Sequence, residues 1–377
     1  MLAQLSNFAS GIGLLSITWE EGGMIILAGI LIYLAIAKKV EPLLLLPIGF
    51  GMLIANMPLN TLMDPPGNGT PAGLMWYIYQ GIDLAIFPPL IFLGIGAMTD
   101  FAPLIANPIT ILLGAGAQAG IFTSFLGAMW LGFSPEQAGS IGIIGGADGP
   151  TAVYLTSQLA PEILGPVAVA AHSYMALVPV IQPPVAKLLT TEEERKIKMP
   201  EMRKVAQVEK ILFPVVITII VGLIIPQALP LVGMLMLGNL MRESGVVKRL
   251  ADAAANEIAN VVTIFLALAV GASASAATFF RFEFLSILFL GLAAFAVSTA
   301  AGIILAKIFN RFFMRGTLNP LIGGAGVSAV PQAARVAQGL GREADPSNFL
   351  LMHAMGPNVA GVIGSAVAAG VLLSLLG

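Results

Sequence analysis

The stretch IGIIGGADGPT, residues 141–151, decides how the rest of the chain is interpreted. It is apolar enough to lie in a membrane, yet glycine and proline interrupt it and it carries one carboxylate, Asp148. Glycine and proline break helices and free backbone carbonyl groups, which membrane proteins tolerate only where the backbone lines a cavity. We therefore expect a broken, re-entrant hairpin over residues 139–159 with Asp148 near its tip.

Asp148 is the strongest single indication of function. A carboxylate at membrane depth costs about 2.5–3.5 kcal/mol and marks a functional site by default. One carboxylate with freed carbonyls and hydroxyl groups such as that of Thr151 suits Na⁺ better than a divalent ion. The alternative is that Asp148 only caps a helix at the hairpin tip, because Asp beside Gly and Pro is a common turn signal.

The composition excludes most other classes of protein. Of 377 residues, 57% are apolar and 10% are charged, whereas a soluble domain has about 25% charged residues. The net charge of −2 gives no footprint for nucleic acid. The chain has no cysteine, which excludes disulfides, iron–sulfur clusters and cysteine nucleophiles. The sequence predicts an all-α, multi-pass protein of the cell (inner) membrane.

Hydropathy predicts about ten transmembrane helices in two halves, although several apolar stretches fall short of the about 20 residues that span a bilayer. The predicted spans are 23–37, 42–57, 82–98, 108–131, 164–187, 211–225, 229–241, 258–280, 284–307 and 349–376. The predicted organisation is an interfacial segment at 1–22, a first half at 23–187, a charged cytoplasmic loop at 188–210 and a second half at 211–377 with a hairpin at 319–340.

Basic residues set the expected orientation, because cytoplasmic loops carry an excess of Lys and Arg. No Lys or Arg occurs between Lys39 and Lys187. Lys38 with Lys39, the 188–210 loop, the segment 242–249 and the segment 307–315 are expected to be cytoplasmic, and the loop 58–80 external. The first hairpin would then enter from outside and the second from the cytoplasm.

The two glycine-rich segments resemble an internal repeat. GGAD at 145–148 matches GGAG at 323–326, and the two histidines of the chain, His172 and His353, follow at similar distances. A weaker pair is GAMTD at 96–100 and GNLMR at 238–242. Inverted repeats with broken helices point to a midplane ion site and to elevator-like movement of a core against a scaffold. The alternative is chance similarity between sequences rich in Gly and Ala.

The second half supplies neutral oxygen donors. Asn319 begins the second hairpin, Ser328 follows its glycines, and Asn358 lies in GPNVAG at 356–361, where Pro357 predicts a local helix break. With Asp148 and Thr151 these residues could replace the hydration shell of Na⁺. Each Asn could instead be a helix cap.

Two further side chains have open interpretations. Arg335 lies on an otherwise apolar arm, where a guanidinium could grip a carboxylate or reach to the interface. Tyr174, in the span after the first hairpin, is either an interfacial anchor or part of a proton or ion relay.

Five motifs resemble the β subunit of the sodium-pumping, biotin-dependent decarboxylases of oxaloacetate, methylmalonyl-CoA and glutaconyl-CoA. They are KK at 38–39 with EPLLLLPIGF at 41–50, GGADGPT at 145–151, GNLMRESG at 238–245, NPLIG at 319–323 and GPNVAG at 356–361.

The resemblance implies a function for each part. A carboxyltransferase (α) subunit would load CO₂ onto biotin on a carrier subunit. This chain would decarboxylate carboxybiotin, consume a proton and move Na⁺ outward. Asp148, Tyr174 and Arg335 would be catalytic, Arg335 and Ser328 would bind carboxybiotin, and Na⁺ would be held by Asp148, Asn319, Asn358, Ser328 and Thr151. A small membrane γ or δ subunit and a homotrimer are the family expectation.

One alternative function stays open at this stage. A Na⁺-coupled small-anion symporter without decarboxylase activity would need the same hairpins, Asp148 and Arg335. A purely structural membrane protein would leave Asp148 in a glycine-broken hairpin without an explanation.

Overall fold

The computed structural model describes residues 12–67, 69–279, 282–314 and 316–377. Most of the predicted interfacial segment therefore lies outside the described residues, as does Arg315 of the expected cytoplasmic segment 307–315. Of the described residues of the interfacial segment, Gly13–Leu15 form a short 3₁₀ turn, and residues 19–22 already belong to the first long helix.

The described residues fold into helices and form no β-strand. In chain order the helices are α1 (Trp19–Ala37), α2 (Pro42–Ala55), α3 (Leu74–Asp83), α4 (Phe87–Met98), α5 (Ala102–Ala106), α6 (Ile109–Ala117), α7 (Ala119–Trp130), α8 (Pro135–Gly142), α9 (Gly149–Leu159), α10 (Leu164–Leu189), α11 (Glu192–Arg195), α12 (Gln207–Ile224), α13 (Leu229–Ser244), α14 (Lys248–Ala253), α15 (Ala259–Ser273), α16 (Ala276–Phe279), α17 (Phe282–Phe312), α18 (Leu321–Gly324), α19 (Gln332–Ala344) and α20 (Leu351–Leu376). A π-helical turn, Ala254–Ile258, joins α14 to α15.

Length and hydropathy make this chain a multi-pass membrane protein. Among the described residues, 6 helices are long and apolar enough to cross a membrane, or up to 8 if each strongly bent pair counts as one span. The bends are 66° between α3 and α4 and 62° within the region of α10. Each of the ten predicted spans is mostly helical, but α2 is too short for the same test, so the count of ten stays a prediction.

One local expectation about a helix break is wrong. Helix α20 runs unbroken through Pro357, because an internal proline removes only one helical hydrogen bond and small neighbours accommodate its ring. The predicted span 108–131 corresponds to one candidate span, 109–130. Within it the α-helical pattern is interrupted for one residue at Gln118, whose backbone N–H bonds to the carbonyl of Ala115.

Helices α4 and α13 cross with their backbones in contact. A Cβ on Gly96 would overlap the carbonyl oxygen of Leu235, and a Cβ on Gly238 would overlap that of Leu93. Glycine is therefore required on both sides of the crossing. The two members of the weaker sequence repeat thus meet each other in reciprocal contact.

The two glycine-rich segments form broken hairpins. The first hairpin is α8, the turn 143–148 and α9; the second is α18, the turn 325–331 and α19. Gly145 lies against the interruption in the segment 109–130, where a Cβ on Gly145 would be 2.7 Å from the carbonyl carbon of Gly120. Gly323 makes a similar close contact with Gly302 of α17. These contacts bring both turns to the middle of the helical bundle.

Candidate ion and anion site

The turn of the first hairpin fixes Asp148 at the beginning of α9. A 3₁₀ turn, Ile143–Gly146, ends at Ala147, which adopts the left-handed conformation with φ 56°. Asp148 is then extended and caps α9, because its Oδ1 accepts a hydrogen bond from the backbone N–H of Thr151 at 3.2 Å. The capping interpretation of Asp148 is therefore correct as geometry.

Capping does not account for the surroundings of Asp148. The residue is 5% exposed, and its Oδ2 accepts a hydrogen bond of 2.6 Å from the Ser365 hydroxyl of α20. Within the described ranges, no Lys, Arg or His lies within ion-pair distance of this carboxylate. A buried carboxylate without a cation is unstable as a charge, so it binds a proton or a cation.

The turn of the second hairpin is held by Asn358. Its Nδ2 donates to the carbonyl oxygens of Ala325 at 2.9 Å and Val327 at 2.7 Å, with a longer contact of 3.5 Å to Ala329. The backbone N–H of Ser328 donates to the carbonyl of Gly146 at 3.0 Å. This main-chain hydrogen bond joins the tips of the two hairpins directly.

Several buried oxygen atoms at this junction lack a hydrogen-bond partner among the described residues. They include Thr151 Oγ1, Ser328 Oγ and Asn358 Oδ1. An unsatisfied buried polar atom costs about 1–3 kcal/mol, which a bound cation would offset. One carboxylate and three neutral oxygens are hard ligands with a single negative charge, which suits a monovalent cation.

A cavity of about 670 Å³ connects this junction with charged side chains. Asp148 and Ser328 line it together with Arg335 of α19, Arg242 of α13 and Asp100 after α4. Much of the remaining wall is apolar, with the methionines Met98, Met175, Met352 and Met355. Such a wall with a few polar groups is typical of a site for an organic ligand.

Of the two described arginines that line this cavity, Arg335 is the one whose side chain has no hydrogen-bond or ion-pair partner. Its side chain is exposed to the cavity, and no described carboxylate lies within ion-pair distance of it. Arg242, in contrast, donates to the carbonyl of Met98 at 2.8 Å and lies 3.5 Å from Glu243. An unpaired guanidinium is available for bidentate binding of a carboxylate.

The structure does not bring Asn319 to this cluster. Its Nδ2 donates to the carbonyls of Arg195 and Ile197, each at 2.9 Å, and its Oδ1 accepts from the N–H of Leu321. Asn319 therefore fastens the charged loop to the second hairpin. Asn348 donates to the same two carbonyls.

Tyr174 also lies away from the cavity. Its hydroxyl donates to the carbonyl of Leu288 on α17, and the Cβ position of Gly291 falls against its ring. The ring is close to Ile144 of the first hairpin, since both approach Gly291. Its predicted role in proton or ion movement stays a prediction.

Basic side chains from the end of α10 and from the 188–210 loop pair with acidic side chains at the open end of the second hairpin. Lys187 pairs with Glu343 at 2.6 Å and Lys198 with Asp345 at 3.0 Å. Hydrogen bonds from Ser347, and then Lys198, lower the pKa of Asp345 to about 2. The loop is therefore attached to the end of α19 by both carbonyl and ionic contacts.

Sequence reasoning missed two residues at the junction. Ser365 lies in a run of small residues, GSAVAAG at 364–370, which gives no sign that its hydroxyl reaches Asp148. Gln118 lies in GAGAQAG at 114–120, which looks like a helix-packing surface. The polar residue inside each small-residue run was the available signal.

Comparison with known proteins identifies the family. The profile described as "Na+-transporting oxaloacetate decarboxylase beta subunit" matches residues 20–376. The chain is 56% identical over 396 positions to the methylmalonyl-CoA decarboxylase subunit beta of Propionigenium modestum, covering 100% of both. It is 55% identical to the glutaconyl-CoA decarboxylase subunit beta of Acidaminococcus fermentans, with 99% of this chain and 98% of that one covered.

The oxaloacetate decarboxylase beta chain of Klebsiella pneumoniae is 50% identical, with 99% of each chain covered. These matches extend over whole chains and confirm the resemblance that the hairpin motifs indicated. The chain belongs to the family of β subunits of the Na⁺-transporting decarboxylases.

Proposed function

We propose that this chain is the membrane subunit that decarboxylates carboxybiotin and couples the released free energy to outward Na⁺ transport, with consumption of one proton. The observation that carries the proposal is the junction of the two hairpins. There the buried Asp148, without a cationic partner, meets unsatisfied oxygens at one end of a cavity that also holds Arg335. The relatives are named as decarboxylase β subunits, which supports the same function.

The chemistry needs a proton and a held carboxylate. In the reaction the C–N bond between the carboxylate and the biotin nitrogen breaks, CO₂ leaves, and the nitrogen takes a proton. We propose that Arg335, with Ser328, binds the carboxylated group. When Na⁺ binds at the junction, Asp148 gives up its proton, so that one group exchanges a cation for a proton. The other proposed Na⁺ ligands are Thr151, Ser328 and Asn358.

The side chains of Asn319 and Tyr174 lie away from the junction in this conformation, so we propose indirect roles for both. The amide of Asn319 already holds loop carbonyls, so it would need to move to become a ligand. We propose that it positions the second hairpin. The ring of Tyr174 lies close to Ile144 of the first hairpin. We propose that Tyr174 takes part in proton transfer from this side of the hairpin.

We propose ten membrane spans with two re-entrant hairpins in an inverted repeat, and an elevator-like movement of the hairpins against a scaffold. The reciprocal glycine contacts of α4 and α13 support the repeat. So does an exchange of contacts: α10, which follows the first hairpin, reaches the second through Gln182 and Gly324. Helix α20, which follows the second hairpin, reaches the first through Ser365 and Asp148.

The complex would contain a carboxyltransferase (α) subunit, a biotin carrier and a small membrane γ or δ subunit, and we propose a homotrimer of this chain. Subunit names of the relatives support a multisubunit assembly. A Na⁺-coupled small-anion symporter would use the same junction, but the relatives are named as decarboxylase subunits.

The decisive experiment is Asp148→Asn in the reconstituted complex. Asparagine keeps the size and the cap but cannot exchange a proton, so we expect Na⁺-dependent decarboxylation of carboxybiotin to fall at least about 10³-fold, within the range of a lost acid–base group. Glu162→Gln is the matched control, because Glu162 is a carboxylate just beyond the end of α9, and this variant should keep wild-type activity. Unchanged Na⁺ dependence in Asp148→Asn would contradict the proposal.

Arg335→Ala tests the anion side of the same site. We expect the KM for carboxybiotin to rise about 100-fold, because a bidentate charged contact is lost, while the half-saturating Na⁺ concentration changes less than threefold. The opposite ranking would reject anion binding by Arg335.

A further inference from the structure

Gln118 is a buried amide that the site described above does not use. The residue is 5% exposed and sits where the segment 109–130 is interrupted between α6 and α7. Its side chain lies flat against α20, where the Cβ position of Gly364 falls 3.2 Å from its Cγ and Nε2. A glutamine buried at a helix interruption needs partners for both ends of its amide.

The hydrogen bonds fix which way this amide faces. Nε2 donates to the carbonyl of Gly114 at 3.1 Å and reaches that of Gly361 at 3.4 Å. Both partners are acceptors only, so the nitrogen must face them, and a flipped amide would set oxygen against oxygen. The opposite atom, Oε1, is buried and has no partner among the described residues.

Oε1 points at the turn of the first hairpin. It lies 3.3 Å from the Cβ position of Gly146, the residue whose carbonyl accepts from Ser328. The same Cβ position lies 3.3 Å from the Cβ of Ser365, which donates to Asp148. Gln118 Oε1 and the side chain of Ser365 therefore approach the same face of Gly146, close to the hydroxyl that donates to Asp148.

We infer that Gln118 supplies a further oxygen ligand to the transported cation, an inference that rests on the proposed function. A neutral carbonyl oxygen adds a ligand without adding charge, so the shell keeps a single carboxylate for a single positive charge. That balance favours a monovalent over a divalent cation.

The test compares two buried glutamines in the purified complex. Gln118→Met keeps length and apolar volume but removes the ligand oxygen. Gln182→Met is the matched control, because Gln182 is also buried, also has an unpartnered Oε1 and donates to Gly324 of the second hairpin. Choline chloride replaces NaCl at constant ionic strength. Two readouts are used: the thermal midpoint against NaCl concentration, since a ligand stabilises the state it binds, and the rate of decarboxylation.

We expect Gln118→Met to raise the half-saturating NaCl concentration about tenfold in both readouts, the loss expected for one ligand contact. Both variants lose the hydrogen bonds that Nε2 donates, so the thermal midpoint without Na⁺ should fall in both. The KM for carboxybiotin should stay near that of the wild type, and Gln182→Met should shift the NaCl response less than twofold. A purely structural role would lower the midpoint without Na⁺ and leave the half-saturating concentration unchanged, which would overturn the inference. Equal shifts in both variants would overturn it too.

If Gln118→Met does not assemble, Gln118→Asn decides, because it keeps the amide but withdraws the oxygen by one methylene group. It must weaken the NaCl response at least threefold relative to Gln182→Asn, or the inference is wrong. Failure of the proposed function looks different: the wild-type complex itself would then show neither stabilisation nor stimulation by NaCl.

Discussion

The two hairpins share a sequence motif but differ in what holds their tips and in what charge they carry. The first closes with a regular 3₁₀ turn and ends at a carboxylate, whereas the second has an irregular turn, 325–331, that depends on the amide of Asn358. The first carries Asp148 at its tip, and the second carries the guanidinium of Arg335 on its outgoing arm. In the proposed mechanism, the two copies of one motif therefore have different tasks: the first hairpin binds the cation and the second binds the anion.

The largest expected effect is an all-or-none difference in access to the two hairpin ends. The chain has no cysteine, so Ser134→Cys, at the open end of the first hairpin, and Ser347→Cys, beside that of the second, each give one target. We expect a membrane-impermeant maleimide added to intact cells to label the cysteine at 134 and to reach that at 347 only after permeabilisation. Labelling of both from the same side would contradict opposite orientation of the hairpins.

The next effect is a difference in how the tips depend on single side chains. Asn358→Leu removes the donor from at least two buried carbonyls, so we expect a loss of about 3 kcal/mol in unfolding free energy and no Na⁺-dependent turnover. Ser365→Ala removes one hydrogen bond from the first tip and should cost about 1.5–2 kcal/mol. Denaturant unfolding in detergent measures the free energy of unfolding of both variants, and Ser244→Ala, at a partly exposed serine, is the control. The reverse ranking would mean that the first tip is the one held by a side chain.

The smallest effect concerns the loop 188–210, which is attached to the end of the second hairpin through Lys198 and Asp345. Since the folded-state pKa of Asp345 is about 2 and its unfolded value is about 3.9, its contribution is complete above the unfolded pKa and is lost as pH falls toward 2. Hydrogen exchange of residues 190–198 should therefore be faster in Asp345→Asn than in wild type at pH 6, with the difference closing between pH 4 and pH 2. Glu201→Gln, on the same loop, should show no such pH dependence. A constant difference down to pH 2 would exclude Asp345 as the cause.

The sequence predicted the helical membrane class and the two hairpins because glycine, proline and charge patterns are local. It also singled out Asp148 and Arg335, since rare charges in apolar sequence stand out, and the structure places both on the lining of one cavity. It could not predict that Pro357 is accommodated within α20 or that the segment 109–130 breaks at Gln118, because packing against other helices decides both.

Long-range contacts account for the rest of what was missed. Ser365 is hydrogen-bonded to Asp148 across 217 positions of sequence, and no residue near Ser365 in the sequence indicates that its hydroxyl has a partner. Asn319 illustrates the converse: its motif suggested an ion ligand, which stays a prediction, while its contacts in this structure fasten a loop. The type of residue at a hairpin limits which ligands its side chain can bind, but the fold determines which group that side chain contacts.

The hydrogen bond between the N–H of Ser328 and the carbonyl of Gly146 has a consequence of its own. Every amino acid except proline carries that N–H. The hydrogen bond between the two hairpin tips is therefore a main-chain contact, and any substitution of residue 328 except proline can keep it. If one hairpin moves relative to the membrane while this hydrogen bond persists, the other hairpin must move with it.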